Sequence, residues 1–145
     1  MKKVLIIGAG ESGLGCALLA NKYSYEVFVS DINKIKNKTK MIFSDEGINF
    51  EEESHENAKI FSPDIVIKSP GISDEKKIIN YLRSKSYKII SEIEFASRYC
   101  KSVIIAVTGS NGKTTTSSLI HEIIFNSSFT SSISGNIGKS FSSVC

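Results

Sequence analysis

A parallel α/β fold is predicted, with a Rossmann-like sheet domain over residues 1–97 and the start of a second α/β unit over residues 98–145. Three observations predict it. A short apolar run, Val4–Ile7, leads straight into a glycine turn with glycines at 8, 10 and 13. A second apolar run, from Glu26, ends on Asp31, at the distance where an acidic residue meets a ribose hydroxyl in a nucleotide-binding βαβ unit. A third, Val103–Val107, leads into Thr108–Thr115, TGSNGKTT, and then into a helix-patterned stretch, Ser117–Phe125. Strand, glycine turn and helix start, twice in one chain, build two places where backbone N–H groups converge on an anion.

In the first unit Gly8 serves the turn, Gly10 the approach of a phosphate, and Gly13 the close packing of helix on strand. Leu14, Ala17 and Leu18 then recur at helical spacing. From these residues NAD and another nucleotide are equally good ligands. Ile32–Lys59 reads as a lysine- and glutamate-rich connection with a short strand at Met41–Phe43 and a weak helix after Ser54. Its acidic run, Glu51–Ser54, is read as a solvated face rather than a metal site, and His55, without companion ligands, likewise.

Asp64–Ile72 is a further strand that turns at Ser69, Pro70 and Gly71, facing the same crevice as the first glycine turn because ligands of open parallel sheets lie beyond the strands' carboxyl ends. An amphipathic helix follows, with Ile78, Ile79 and Leu82 inward, then a short strand within Lys88–Ala96. In the second unit the general phosphate-loop pattern wants a glycine where Val107 stands, so this loop is shorter than usual. Gly109 and Gly112 give it freedom, Lys113 places an ammonium beside terminal phosphates, and Thr114 offers a hydroxyl to Mg²⁺. This is read as an ATP loop. The next helix should bury Leu119, Ile120, Ile123 and Ile124, with His121 a partly buried structural residue beside them. Phe129–Ser134 is read as another strand, ending at Gly135–Gly138, GNIG.

Composition narrows the class. The chain has 145 residues, 41% of them hydrophobic and 23% charged, enough for one ordinary core but not for two complete nucleotide-binding domains. A net charge of +3, with no basic run interleaved with aromatics, does not suggest a nucleic-acid groove. The three cysteines are widely spaced and outside any CxxC pair, which argues against a disulfide framework or zinc site. With no signal-peptide pattern and no transmembrane stretch, a cytoplasmic location is expected.

The loop TGSNGKTT resembles that of the Mur ligase and folylpolyglutamate synthetase superfamily, which joins amino acids to carboxylates through acyl phosphates. Together with GAGESG, Asp31, KSPGI, SEIEFA and GNIG, the pattern is similar to the N-terminal third of the Mur ligase that adds D-glutamate to UDP-N-acetylmuramoyl-L-alanine. The resemblance implies that the first domain binds the UDP part of that substrate in place of NAD. Gly10, Ser12 and Gly13 would meet the diphosphate or uridine, Asp31 the uridine, Ser69 and Gly71 the nucleotide from the opposite lip, and Asn136 the substrate nearer its reacting end. Gly109, Ser110, Asn111, Gly112, Lys113, Thr114 and Thr115 would hold ATP, with Lys113 and Thr114 in catalytic roles and Thr114 on Mg²⁺. Ile32 replaces a residue often polar in the family, and Glu11 is an odd neighbour for a diphosphate unless it points away. The resemblance also implies a monomeric, ATP-dependent, ADP-forming ligase, of which this chain would be a truncated piece unable to ligate alone. Against it stand an NAD-dependent oxidoreductase and a free-standing nucleotide sensor.

Overall fold

The computed structural model describes residues 1–135 and 139–145. Five parallel strands form one sheet in the order β3-β2-β1-β4-β5: β1 Lys3–Ile7, β2 Glu26–Ser30, β3 Asn49–Glu51, β4 Ile65–Lys68 and β5 Ile89–Ser91. Parallel neighbours require crossovers, which α1 Glu11–Lys22, α2 Asn37–Asp45, α3 Glu56–Ile60 and α4 Lys77–Ser84 supply. The order reverses between β1 and β4, the point at which open parallel sheets hold ligands beyond the carboxyl ends of their strands.

β1 is the centre of the molecule because its apolar run is covered on both faces, as all-parallel sheets require. Val4 and Ile6 enter one apolar cluster with Cys16, Ala17 and Ala20 of α1, Phe43 of α2, and Phe95 and Ala96 of α5 Glu92–Ser97. Leu5 and Ile7 enter the opposite cluster with Ala58 of α3 and Ile78, Ile79 and Leu82 of α4. The inward residues of α1 are small, so the helix lies close on the sheet. A Cβ on Gly13 would stand 1.8 Å from the carbonyl oxygen of Gly8.

The expected strand at Met41–Phe43 is instead the body of α2. The place beside β2 belongs to β3, where Phe28 pairs with Asn49, so the preceding apolar residues must travel across the sheet face as a crossover. The acidic run is also not a solvated face throughout: Glu51 is buried, and Glu52 takes the Ile35 N–H at 2.7 Å and the Lys40 ammonium at 3.0 Å. Those two donors hold the half-buried Glu52 carboxyl below its usual range, the backbone N–H foremost.

After α5 the expectations of the second unit are met only in its helix, α6 Lys113–Phe125. Val103–Val107 forms no strand, and Val103 is 92% exposed. An extended run becomes a strand by pairing its N–H and C=O groups with a neighbour, and among the described residues none lies beside this one. Phe129–Ser134 likewise makes no strand, apart from an isolated bridge of Ser134 with Lys139. The apolar stripe of α6 is uncovered: Leu119 and Ile123 are exposed, and no residue of the helix is buried. His121 is half-buried, with Nδ1 at 2.7 Å from the Ser131 hydroxyl. The final described stretch folds back on the sheet domain through a 3₁₀ turn, Phe141–Ser143, whose Ser142 N–H and hydroxyl reach the buried Glu92 carboxylate at 2.9 and 2.8 Å.

Candidate functional site

Three turns meet at the carboxyl ends of β1, β2 and β4. The Gly8 N–H donates to the Ser30 carbonyl at 2.8 Å, and the Ser69 N–H donates to the Ile7 carbonyl at 3.1 Å. The Ser69 hydroxyl donates to the Gly8 carbonyl at 3.3 Å. Gly8 has φ +98°, and a Cβ there would lie 2.9 Å from the Ser69 hydroxyl oxygen, so both backbone conformation and space demand glycine.

Asp31 closes the lacing. One carboxylate oxygen accepts the Ala9 N–H at 2.7 Å, and the other accepts the Asn33 N–H at 2.9 Å. The acidic strand end therefore holds the first glycine turn in place.

At the start of α1, the first helical bond runs from the Leu14 N–H to the Gly10 carbonyl at 2.9 Å. The N–H groups of Glu11, Ser12 and Gly13 have no acceptor among the described residues, and no side chain caps the helix. Gly10 stands in open space, with no atom within 4 Å of where a Cβ would be. Unsatisfied donors, the positive end of a twelve-residue helix and an open glycine make a cradle for an anion. The Glu11 carboxylate, in the same first turn, takes the Ser140 N–H at 3.2 Å.

The opposite lip is the turn Ser69–Gly71. Ser69 is buried under it, and a Cβ on Gly71 would meet nothing within 4 Å. Lys68, the last residue of β4, steadies this lip by donating to the Ile72 carbonyl at 3.0 Å and pairing with Asp74 at 3.2 Å, while Arg83 reaches Asp74 at 2.6 Å. Lys68, then Arg83, hold the exposed Asp74 carboxyl below the usual range.

Gly10, Ser12, Gly13, Asp31, Ser69 and Gly71 thus stand on the turns and the helix start gathered at the carboxyl ends of β1, β2 and β4, whereas Asn136 lies outside the described residues. The loop Gly109–Thr115 is a separate feature. Gly112, at φ +77°, turns the chain into α6, and the first helical bond runs from the Thr116 N–H to the Gly112 carbonyl at 2.9 Å. The N–H groups of Lys113, Thr114 and Thr115 have no acceptor among the described residues. The Lys113 ammonium folds over the loop onto the carbonyls of Gly109 and Ser110, while Ser110, Asn111, Thr114 and Thr115 are exposed. No hydrogen bond or core contact among the described residues joins this loop to the first crevice.

Sequence reasoning passed over a buried cluster beside the crevice. The Ser30 hydroxyl lies 2.7 Å from the Glu51 carboxylate and 2.6 Å from His55 Nδ1. Glu51 also accepts the N–H groups of Asn57 and Ala58 at 3.0 and 2.8 Å. The missing signal was the three-residue strand β3, too short to show a period, whose register sets Glu51 directly beside Ser30.

The fold is that of the N-terminal part of Mur-type peptide ligases. A pseudomurein peptide ligase type C from Methanothermus fervidus superposes with a TM-score of 0.61 at 31% identity, over 87% of this chain and 26% of that one. A murein peptide ligase from Psychrobacter arcticus superposes with a TM-score of 0.64 at 26% identity, over 86% and 26%. Within that class, the MurD N-terminal domain family matches residues 3–78, and the chain belongs to it. Proteins named UDP-N-acetylmuramoylalanine–D-glutamate ligase are 46% identical in Christiangramia forsetii and 48% identical in Bacteroides fragilis, each over 97% of this chain. The chain spans about a third of the length of these curated relatives, 32% in both cases. No described helix is long and apolar enough to cross a membrane.

Proposed function

We propose that this chain supplies the UDP-substrate domain and the ATP loop of a cytoplasmic, monomeric ligase that adds D-glutamate to UDP-N-acetylmuramoyl-L-alanine, with residues 1–97 and 98–145 as the two units. The observation that carries the reading is the crevice at the β1/β4 switch point, where three unpaired N–H groups of α1 and the Asp31-tethered glycine turn converge. In this reading Gly10, Ser12 and Gly13 hold the diphosphate, Asp31 meets the uridine, and Ser69 and Gly71 close the opposite lip. Asn136 is assigned to the substrate nearer its reacting carboxylate.

The loop Gly109–Thr115 fits a triphosphate. It offers three free N–H groups at a helix start, and Lys113 needs only to exchange two loop carbonyls for phosphate oxygens. Among the described residues no cluster of acidic, histidine or cysteine side chains is arranged for a metal, so this chain would offer Mg²⁺ the Thr114 hydroxyl, with phosphates and water as further ligands. ATP would supply the phosphoryl group that activates the substrate carboxylate as an acyl phosphate, releasing ADP. The chain's own contribution is to orient those phosphates and neutralise their charge, which accounts for most catalysis in phosphoryl transfer. The rest of the chemistry belongs to a polypeptide of the relatives' length.

Calorimetric titration of the chain with UDP-N-acetylmuramoyl-L-alanine, UDP and NADH tests the crevice. Binding of both uridine ligands with indifference to NADH is expected. Binding of NADH alone would overturn the assignment in favour of an oxidoreductase domain.

A further inference from the structure

The proposed function leaves the Ser30–Glu51–His55 cluster without a role. The hydrogen bonds around Ser30 assign the His55 proton to one ring nitrogen. Glu51 is buried, accepts two backbone N–H groups, and stands 2.7 Å from the Ser30 hydroxyl. A carboxylate so placed takes the single Ser30 hydroxyl proton, and the Ser30 oxygen is then the acceptor for His55 Nδ1, 2.6 Å away. The neutral ring is therefore the Nδ1–H tautomer. Its Nε2 is a lone-pair acceptor with no protein partner among the described residues.

The position of this ring matters. Ser30 immediately precedes Asp31, and the Ser30 carbonyl accepts the N–H of Gly8 in the glycine turn. His55 follows β3, the strand next to β2, and its bond to Ser30 sets it beside the carboxyl end of β2, near Asp31. The ring is half-buried and feels the Asp31 and Glu51 carboxylates, with Lys59 and Glu56 as the other charges near it. A nucleotide with its diphosphate at α1 and its ribose at Asp31 carries its base or outer ribose edge toward this side.

We infer that His55 is a specificity-determining residue for the nucleoside, accepting a hydrogen bond at Nε2 from a base N–H or a ribose hydroxyl while Ser30 and Glu51 fix the ring. The inference rests on the uridine reading of the crevice. Two substitutions separate the ring's two nitrogens. Asparagine can place an N–H where Nδ1 stands but nothing at Nε2. Glutamine can reach the Nε2 position but gives up the bond to Ser30.

The test is titration of UDP into the wild-type chain, His55→Asn and His55→Gln at pH 7.5, with thermal unfolding of each. His55→Asn is expected to keep its melting temperature and lose about tenfold in affinity, the factor that corresponds to one hydrogen bond of about 1.4 kcal/mol. His55→Gln should recover part of that affinity although it melts lower. Wild-type affinity should also fall as the pH is lowered and the ring protonates, since protonation turns the acceptor into a donor, and His55→Asn should lose this dependence. Unchanged UDP affinity and pH profile in His55→Asn would overturn the inference while leaving the crevice assignment intact. Failure of the wild-type chain to bind UDP would overturn both.

Discussion

At Lys113 the side chain that we propose meets a triphosphate is bonded to the loop's own carbonyls. That arrangement predicts a residue devoted to charge neutralisation, not to holding the fold. In a polypeptide of the relatives' length, Lys113→Ala should lower turnover by on the order of a hundredfold or more while leaving the melting temperature of the sheet domain unchanged. Steady-state kinetics and calorimetry on the same sample would check both halves. Glu51 is the converse case, a carboxylate with a structural task. Glu51→Ala leaves the N–H groups of Asn57 and Ala58 without their acceptor and the Ser30 hydroxyl with only the longer contact to the Ser54 carbonyl at 3.3 Å, at an expected cost of roughly 1–3 kcal/mol in urea unfolding.

His55 adds a pH dependence whose sign follows from its surroundings. Burial, the largest influence, lowers its pKa from the ordinary value, and the Glu51 and Asp31 carboxylates only partly oppose this. The unfolded chain therefore binds the proton more readily, and stability present above about pH 6.5 is lost as the pH falls toward the lowered folded value. Urea midpoints measured from pH 8 to pH 5 should show this fall in the wild type and a shallower one in His55→Gln.

At the scale of elements, two glycines of one turn do different jobs. Gly13 lets α1 approach β1, since a Cβ there would overlap the Gly8 carbonyl, whereas Gly10 leaves a space that no protein atom fills. Gly13→Ala should therefore destabilise the fold by roughly 1–3 kcal/mol or more through overpacking. Gly10→Ala should leave the melting temperature near native and weaken UDP binding by filling the cradle. The helices divide in the same way. Leu82→Ala in α4 should cost about 2–5 kcal/mol, because the side chain is fully buried, and Leu119→Ala in α6 should stay within about 0.5 kcal/mol, because its side chain is already half in solvent. Chemical denaturation of the pair reads out the difference.

Some elements were legible because their signal is local. β1, β2 and β4 are β-branched apolar runs closed by glycine, aspartate or a Ser-Pro-Gly turn, and α4 buries the three residues its spacing indicates. Helix α5 left a signal that the strand reading of its neighbourhood obscured. Ser91 and Glu94 have the spacing of a capping box, and the Ser91 hydroxyl accepts the Glu94 N–H at 3.1 Å. β3 left almost none, with three residues and one buried side chain, and was missed together with the Glu51 that it positions.

Over the whole molecule, the amino-acid sequence alone determined that the sheet is parallel, that a glycine turn and Asp31 meet at its carboxyl edge, and that a second glycine turn begins a later helix. Each is announced by short motifs, a glycine turn or an apolar run with its closing residue, whose backbone preferences and apolar spacing act before the strands pair. Only the tertiary structure decided that Met41–Phe43 crosses as helix, that Glu51 is buried, that Ser30 and His55 meet, and that Val103–Val107 stays unpaired. These outcomes depend on which neighbour occupies the adjacent place in the sheet, since a strand is completed by another strand's N–H and C=O groups and a buried carboxylate by donors brought from elsewhere in the chain.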